Sequence, residues 1–351
     1  MKRDNLHYSI RKIDSYNRPF NFVISEREAG KSTAILLKAY KLFKKKHKTT
    51  IILRRLINDI TETYINDCGK VINKFLSKDK QIKLEFKKGN IKEGVVDVFI
   101  SGKHFIRVIA ISNPMSRIKS TMVENPGMII FDEFICNNRL GEKYVDGEAF
   151  KFKEIYNTYQ RESRGLKCYF MGNPYSLYNP YFSDLRVDTL LLHPGAFIVS
   201  DNYCIECYQI KKELKEKILK ENPLYQFDES YKKYAFDGLA VNDTQFIIKP
   251  VRPDSYNLRY IFRINNRYLK IWMNNNNLFE ESNYWIECVN SYNGKNVYAI
   301  DFNNLVQDTR LITTQMRIIF TRLKQSIAQR RVSYNNIEAG YLTEMLYQVI
   351  K

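Results

Sequence analysis

Near the start of the chain, Gly30-Lys31-Ser32 carries the ending of the phosphate-binding pattern GxxxxGK followed by Ser or Thr. In that pattern the lysine contacts β- and γ-phosphates, and the hydroxyl joins a Mg2+ shell. Backbone N–H groups of the loop and of the following helix hold phosphate oxygens. Lys31 and Ser32 are therefore candidate nucleotide contacts, flanked by Gly30 and Thr33, and Ser32 is also a candidate metal ligand. The pattern is incomplete. Ser25 stands where it wants Gly, and Glu28 and Ala29 add side chains to the loop. Glu26 and Glu28 would repel phosphate unless they turn outward.

A second cluster lies about a hundred residues on. Met128-Ile129-Ile130-Phe131 is followed by Asp132-Glu133, four apolar residues and then two acids. A buried strand of this kind delivers Asp132 to the Mg2+ shell and leaves Glu133 to polarise an attacking water. With the Lys31 loop it makes an ATPase with an adjacent catalytic glutamate, using ATP and Mg2+, the leading reading. Phosphoryl transfer calls mainly for charge stabilisation, so a basic finger is the remaining part to find. Arg161 and Arg164, in Gln160-Arg161-Glu162-Ser163-Arg164, stand at the end of an expected helix. Either is a candidate finger reaching a neighbour's ATP; a solvated basic helix end is the alternative. Asn173 follows the apolar run Tyr169-Phe170-Met171 and is a candidate γ-phosphate sensor or an ordinary turn residue.

The elements that must hold these residues alternate. Phe20–Ile24 predicts a buried strand, and residues 32–46 a helix with Ile35, Leu36, Ala39 and Leu42 at three-to-four spacing. Strands are expected at 50–53, 95–100, 105–111, 128–131 and 168–171, and an amphipathic helix at 60–76. Strands alternating with helices predict a mostly parallel α/β sheet. The pattern changes near residue 209. A charged helix over 209–221 ends at Pro223, and residues 209–245 carry seven basic and seven acidic side chains. Strands are expected again at 246–248, 260–264, 268–272 and 297–300, with helices near 313–328 and 337–350. The organisation expected is thus 1–208, a helical linker 209–245, and a smaller α/β domain 246–351.

The 351 residues hold 56 Lys and Arg against 38 Asp and Glu, a net charge of +18, which favours a polyanionic partner or reflects a Lys-rich composition. No stretch approaches about 18 uninterrupted apolar residues, so no membrane-spanning helix is expected. Six Cys without an apolar leader segment suggest reduced thiols in a cytosol. Cys204-Ile205-Glu206-Cys207 is a single CxxC, and the four His are scattered, so it is read as structural. The lysines at 38, 41, 44, 45, 46 and 48 are read as a solvated helix face. Arg54-Arg55 is placed to face a ring lumen or a neighbouring subunit.

A resemblance covers most of residues 10–208 and extends more weakly beyond. It rests on Asn21-Phe22-Val23-Ile24, Arg27 within the loop, Ile130-Phe131-Asp132-Glu133-Phe134-Ile135, Asn173, and Asn179-Pro180-Tyr181-Phe182. Together these resemble the DNA-packaging ATPases (encapsidation proteins) of small podoviruses with protein-primed linear genomes. The resemblance implies an ASCE-type P-loop ATPase in a ring, taken as a pentamer, at the portal of a procapsid in the host cytoplasm. Such a ring threads double-stranded DNA inward, with a structural RNA as a further candidate partner. It also implies a short helical linker and a C-terminal domain of RNase H-like fold without nuclease activity. Carried over by position, Arg27 matches the family's loop arginine, Arg161 the trans-acting finger, and Lys119 a second trans-acting basic residue.

Residues 246–351 hold eight acidic side chains, and no strand there carries a paired acidic motif. Asp254, Asp301 and Asp308 are the available members of a two-metal site, which needs three or four converging carboxylates. Between 309 and 337 six basic residues occur without an acid, a phosphate- or portal-facing surface or a solvated face. Two other functions stay open: a terminase large subunit with an active C-terminal nuclease, and a non-catalytic nucleic-acid-binding protein with a degenerate loop.

Overall fold

The computed structural model describes residues 5–119, 123–137, 140–176, 179–185, 187, 191–236, 246–274 and 283–350. Two compact units divide the chain, one from 1–175 and 193–241, the other from 176–192 and 242–351.

In the first unit the elements run α1 (Arg11–Ser15), β1 (Phe20–Ile24), α2 (Lys31–Lys46), β2 (Thr49–Arg54), α3 (Glu62–Asn73), β3 (Glu85–Phe86), β4 (Val95–Ile100), β5 (Lys103–Ala110), α4 (Met115–Lys119), β6 (Pro126–Asp132), α5 (Glu148–Gln160) and β7 (Lys167–Gly172). The second unit contributes α6 (Pro180–Leu185). The first then resumes with β8 (Phe197–Val199), β9 (Tyr203–Cys207), α7 (Lys212–Glu221), α8 (Pro223–Phe227) and α9 (Glu229–Phe236).

Its sheet has nine strands in the order β3-β4-β5-β2-β6-β7-β1-β9-β8. The six central strands, β5 to β9 in that order, are parallel, and each edge is finished by antiparallel pairing. Both faces are covered, which is why the central strands are nearly continuous apolar runs. Alternate residues go to opposite faces. Val23, Ile52, Ile130 and Met171 pack with Ile35 and Ala39 of α2 and Ile65 and Ile72 of α3. The residues beside them in sequence form an aromatic layer with α5. Phe22 stacks on Phe170 at 4.3 Å, and Phe152 meets Phe170 edge-on at 4.9 Å.

Two local features set α3 and the end of α2. Thr61 caps α3, which packs beside α2, by accepting from the Tyr64 N–H. Gly127 lies so close to the end of α2 that an added Cβ would meet Leu42 at 2.6 Å and Lys48 at 2.7 Å.

In the second unit, β10 (Tyr256–Ile264), β11 (Arg267–Asn274), β12 (Tyr284–Val289), β13 (Val297–Ala299), β14 (Thr309–Leu311), α10 (Thr321–Ala328), β15 (Val332–Tyr334) and α11 (Ile337–Ile350) follow in turn. The sheet order is β14-β13-β10-β11-β12-β15. An antiparallel meander, β10-β11-β12, carries two parallel strands beside its first member and one beside its last. Phe262, Ile286, Phe320, Leu342 and Leu346 are its buried centre. Arg267 and Glu338 form a buried pair with contacts of 2.9 and 3.2 Å.

Several expectations change. Residues 246–248 make one bridge, Ile248 to Tyr334, and no strand. Pro250, which has no N–H, ends the pairing. The expected helix at 313–328 begins as a 3-10 turn over Gln315–Phe320. The CxxC segment is strand β9, paired with β1. All six cysteines are free thiols and buried. Residues 209–236 form α7–α9, whose apolar side packs on Ala29 of the Lys31 loop. Among the described residues no three His, Cys, Asp or Glu side chains are grouped to hold a metal, and no helix is long and apolar enough to cross a membrane.

Candidate nucleotide-binding and catalytic site

The Lys31 loop leaves the C-terminal end of β1 and enters α2. Beside β1 stands β7, tipped by Asn173, and beside β7 stands β6, tipped by Asp132 and Glu133. Ligands of open parallel sheets bind at such carboxyl ends. Here they enclose a cavity of about 420 Å3 lined by Lys31, Ser32, Thr33, Asp132, Glu133 and Asn173, with Arg27, Glu28 and Gly30 also on its wall. Every cofactor- and metal-binding residue expected from the sequence therefore lines one cavity. Of the catalytic candidates, Glu133 does so and Arg161 and Lys119 do not.

Gly30 has φ 85° and turns the chain into α2, a conformation that suits glycine. Glu28 has φ 61° without that freedom. Both acidic departures are accounted for by what they touch. Glu26 Oε2 accepts the Ile210 N–H at 3.3 Å, and Glu28 Oε1 accepts from the Tyr225 hydroxyl at 3.2 Å. The two carboxylates tie the loop to the 210–225 segment. Arg27 donates to the Tyr175 hydroxyl at 2.8 and 3.0 Å and to Tyr231 at 3.5 Å.

Lys31 Nζ is buried and donates to Ser25 O, Ser25 Oγ, Glu26 O and Asn173 Oδ1 at 2.8 to 3.1 Å. All four partners are neutral oxygens. Burial brings the ammonium down to about 8, against the pull of Asp132 and Glu26. A cation held only by neutral hydrogen-bond acceptors can exchange them for the oxygens of an anionic phosphate. Ser32 Oγ donates to Asp132 Oδ1 at 3.3 Å. Burial, reinforced by Glu133, raises the Asp132 carboxyl above its ordinary value; Arg54, Ser32 and Lys31 oppose the rise. A hydroxyl and a carboxylate side by side are oxygen ligands of the kind Mg2+ takes with nucleotide phosphates. The residues present fit both ATP and Mg2+.

Glu133 has φ 60°, in the left-handed region, which projects its carboxylate out of the strand line. Its side chain is 60% exposed, and Oε2 meets Arg54 Nη2 at 2.9 Å. The next residue, Arg55, is buried and makes four contacts. It holds Glu148 through two bonds of 2.9 and 3.1 Å, and donates to Glu133 O at 3.0 Å and Phe134 O at 2.8 Å. Arg55 thus pins the turn that carries Glu133 to the start of α5. The sequence places Arg54-Arg55 to face a lumen or a neighbour; Arg55 instead turns inward, and its position one residue past a central strand is the signal for that role.

Arg161 caps the C-terminus of α5 and is exposed. Lys119 is bonded to Glu154 of α5 at 2.6 Å. Arg164 lies before β7, at the opposite end of the sheet from the Lys31 loop. Cys204 and Cys207 are buried on β9, in keeping with a structural role.

A Gly-Lys-Ser loop leaving the end of one parallel strand, with one strand between it and the paired acids, is consistent with a P-loop ATPase fold. Within that class, residues 2–349 match the family of podovirus DNA encapsidation proteins (Gp16), and the chain belongs to this family. It is 26% identical to the DNA packaging protein of Bacillus phage phi29 over 311 residues, 88% of this chain and 87% of the relative. It is 32% identical to that of Bacillus phage B103 over 168 residues, 48% of each chain. In fold it is similar to the chain solved in the bacteriophage Phi-29 viral genome packaging motor assembly. That match has TM-score 0.70 at 22% identity, covering 99% of this chain and 100% of the other. A chain of the Phi-28 gp11 DNA packaging motor matches at TM-score 0.64 and 15% identity, over 99% and 98%.

Proposed function

We propose that this DNA-packaging protein is an ATPase that couples ATP hydrolysis to translocation of double-stranded DNA into a procapsid. The observation that carries the reading is the convergence of Lys31, the Ser32–Asp132 pair and Glu133 at the tips of nearby strands around one cavity. Lys31 would exchange its neutral partners for phosphate oxygens, and Ser32 and Asp132 would hold Mg2+. ATP and Mg2+ supply the transferable phosphoryl group and its charge neutralisation when bound. Glu133 accepts a proton from the attacking water, Asn173 stands beside Lys31 where the terminal phosphate would be sensed, and Arg27 and Thr33 complete the wall.

The protein works as a homo-oligomeric ring, read as a pentamer, at the portal vertex in the host cytoplasm, with Arg161 and Lys119 reaching the neighbouring subunit's nucleotide. Exposure of Arg161 at the end of α5 supports this. Residues 246–351 are read as an RNase H-like unit that contacts DNA, portal or a structural RNA without cutting, with 1–208 as the ATPase domain and 209–245 as the linker. The mixed sheet supports the fold reading, and Asp301 is engaged in capping Asn304.

Steady-state ATP hydrolysis with and without duplex DNA tests the proposal. Glu133→Gln should bind ATP with Mg2+ as the wild type does and hydrolyse it at least ~100-fold more slowly. Lys31→Ala should lose nucleotide binding instead. Equal hydrolysis by Glu133→Gln and wild type would sink the assignment.

A further inference from the structure

A second and larger concavity, about 1040 Å3, runs along α2 away from the nucleotide cavity. It reaches Met128 near the start of β6 and Lys167 at the start of β7. At its other end lie Asn5, His7 and Lys211, near the outer side of the Lys31 loop, where the Tyr8 N–H is bonded to Ala29 O at 2.8 Å. Nine lysine and arginine side chains line it against one carboxylate, Asp14. That carboxylate is already engaged, by Lys38 at 2.6 Å and Lys167 at 3.1 Å. Lys48 donates to Ser163 Oγ and Lys211 to Asn5 O. Arg11, Lys41, Lys45, Lys46 and Arg164 remain, exposed and without an ion pair among the described residues.

Cations near the end of α2 suit the helix dipole, which explains part of the lysine run on local grounds. The dipole does not explain why Arg11 of α1 and Arg164 before β7 converge on the same trough. Lys41 and Lys45, four apart, share one helix face and repel each other at some cost to the helix. A polyanion relieves that repulsion.

We propose that this trough is a nucleic-acid site, taking the phosphodiester backbone of duplex DNA. No large exposed apolar side chain lines it, so it lacks the desolvated anchors of a protein partner. Lysine and arginine without exposed aromatic neighbours position a backbone and read no sequence. The assignment rests on the DNA-handling function proposed above and adds where on the first unit the DNA is gripped.

The full-length protein would be titrated with a fluorescent DNA duplex at a series of salt concentrations. The test variant is Arg11→Gln/Lys41→Gln/Lys45→Gln; the control is Lys78→Gln/Lys80→Gln/Lys83→Gln, which removes equal charge elsewhere on the first unit's surface. The trough variant should bind DNA at least tenfold more weakly at low salt. Its slope of log affinity against log salt should be shallower by about 0.9 per lost phosphate contact. Its affinity for a fluorescent ATP analogue should be unchanged, and the control should keep the wild-type slope. Equal losses in both variants would overturn the proposal. So would loss of binding to duplex RNA or to polyglutamate with DNA binding intact. Absence of DNA binding by the wild type itself would overturn the DNA-handling reading along with it, whereas selective failure of the trough variant to differ would leave that reading standing.

Discussion

Glu133 is held in a backbone region that costs a side-chain-bearing residue roughly 1–2 kcal/mol. Arg55 supplies part of what offsets that cost, because two of its N–H groups end on the carbonyls of Glu133 and Phe134. Removing Arg55 would also strand Glu148, whose side chain is fully buried. Arg55→Gln should therefore destabilise the protein by ~3–5 kcal/mol. Arg55→Lys separates stability from chemistry, since it keeps a cation facing Glu148 but lacks the planar fork that reaches four oxygens. Denaturant unfolding should show most of the stability retained in Arg55→Lys. Its kcat should fall at least tenfold while nucleotide affinity stays near wild type. An unchanged kcat would show that Arg55 serves folding alone.

At the scale of elements, α1 is clipped to the sheet through Asp14, which accepts from Lys38 of α2 and from Lys167 and Tyr169 of β7. Burial alone would raise this carboxyl, but the bonds from Lys38, Tyr169 and Lys167 outweigh it and hold it at about 2. A carboxyl lowered on folding contributes stability that is complete above its ordinary value and is lost as pH falls towards its folded one. Asp14→Asn should thus lower stability at neutral pH and flatten the decline between about pH 4 and pH 2; acid titrations followed by far-UV circular dichroism would show it, and an unaltered acid limb would contradict the clip. The central strands were legible beforehand because burial on both faces leaves long apolar runs, as in Ile51-Ile52-Leu53 and Met128-Ile129-Ile130-Phe131. The convergence of Lys31, Ser32, Asp132 and Glu133 on one cavity was legible because the motif that names them is strict in residue type and spacing. Strand β9 was not, because its buried Glu206, bonded by Tyr8, breaks the apolar run with a partner nearly two hundred residues away. The packing of α7–α9 on the Lys31 loop was hidden for another reason: a balanced charge pattern describes a helix's wet side and says little about its dry one.

For the whole molecule, the proposed ring makes activity a property of interfaces. A finger supplied in trans is worth roughly 10³–10⁵ in rate, so Arg161→Ala and Glu133→Gln should each be nearly inactive alone. Mixed and assembled, some interfaces would join an intact Glu133 to an intact Arg161 from the neighbour. Hydrolysis per subunit in the mixture, with assembly confirmed by sedimentation, should exceed that of either variant. If it equals only the sum of the two residual rates, Arg161 acts within its own subunit or in structure, and Lys119 or Arg164 becomes the candidate.

The placement of the cysteines gives the native protein an experimental convenience. Burial raises all six thiols, to about 12 for Cys68, Cys136 and Cys207, with Cys168 and Cys288 well above their ordinary value and Cys204 above it too. Since the thiolate is the reactive form, the folded chain should be almost inert to maleimides and aromatic disulfides near neutral pH. A single cysteine introduced on the surface could then carry a fluorophore without removing the natural six. The same silence makes a clock: any thiol that does react marks a moment when its part of the molecule has opened.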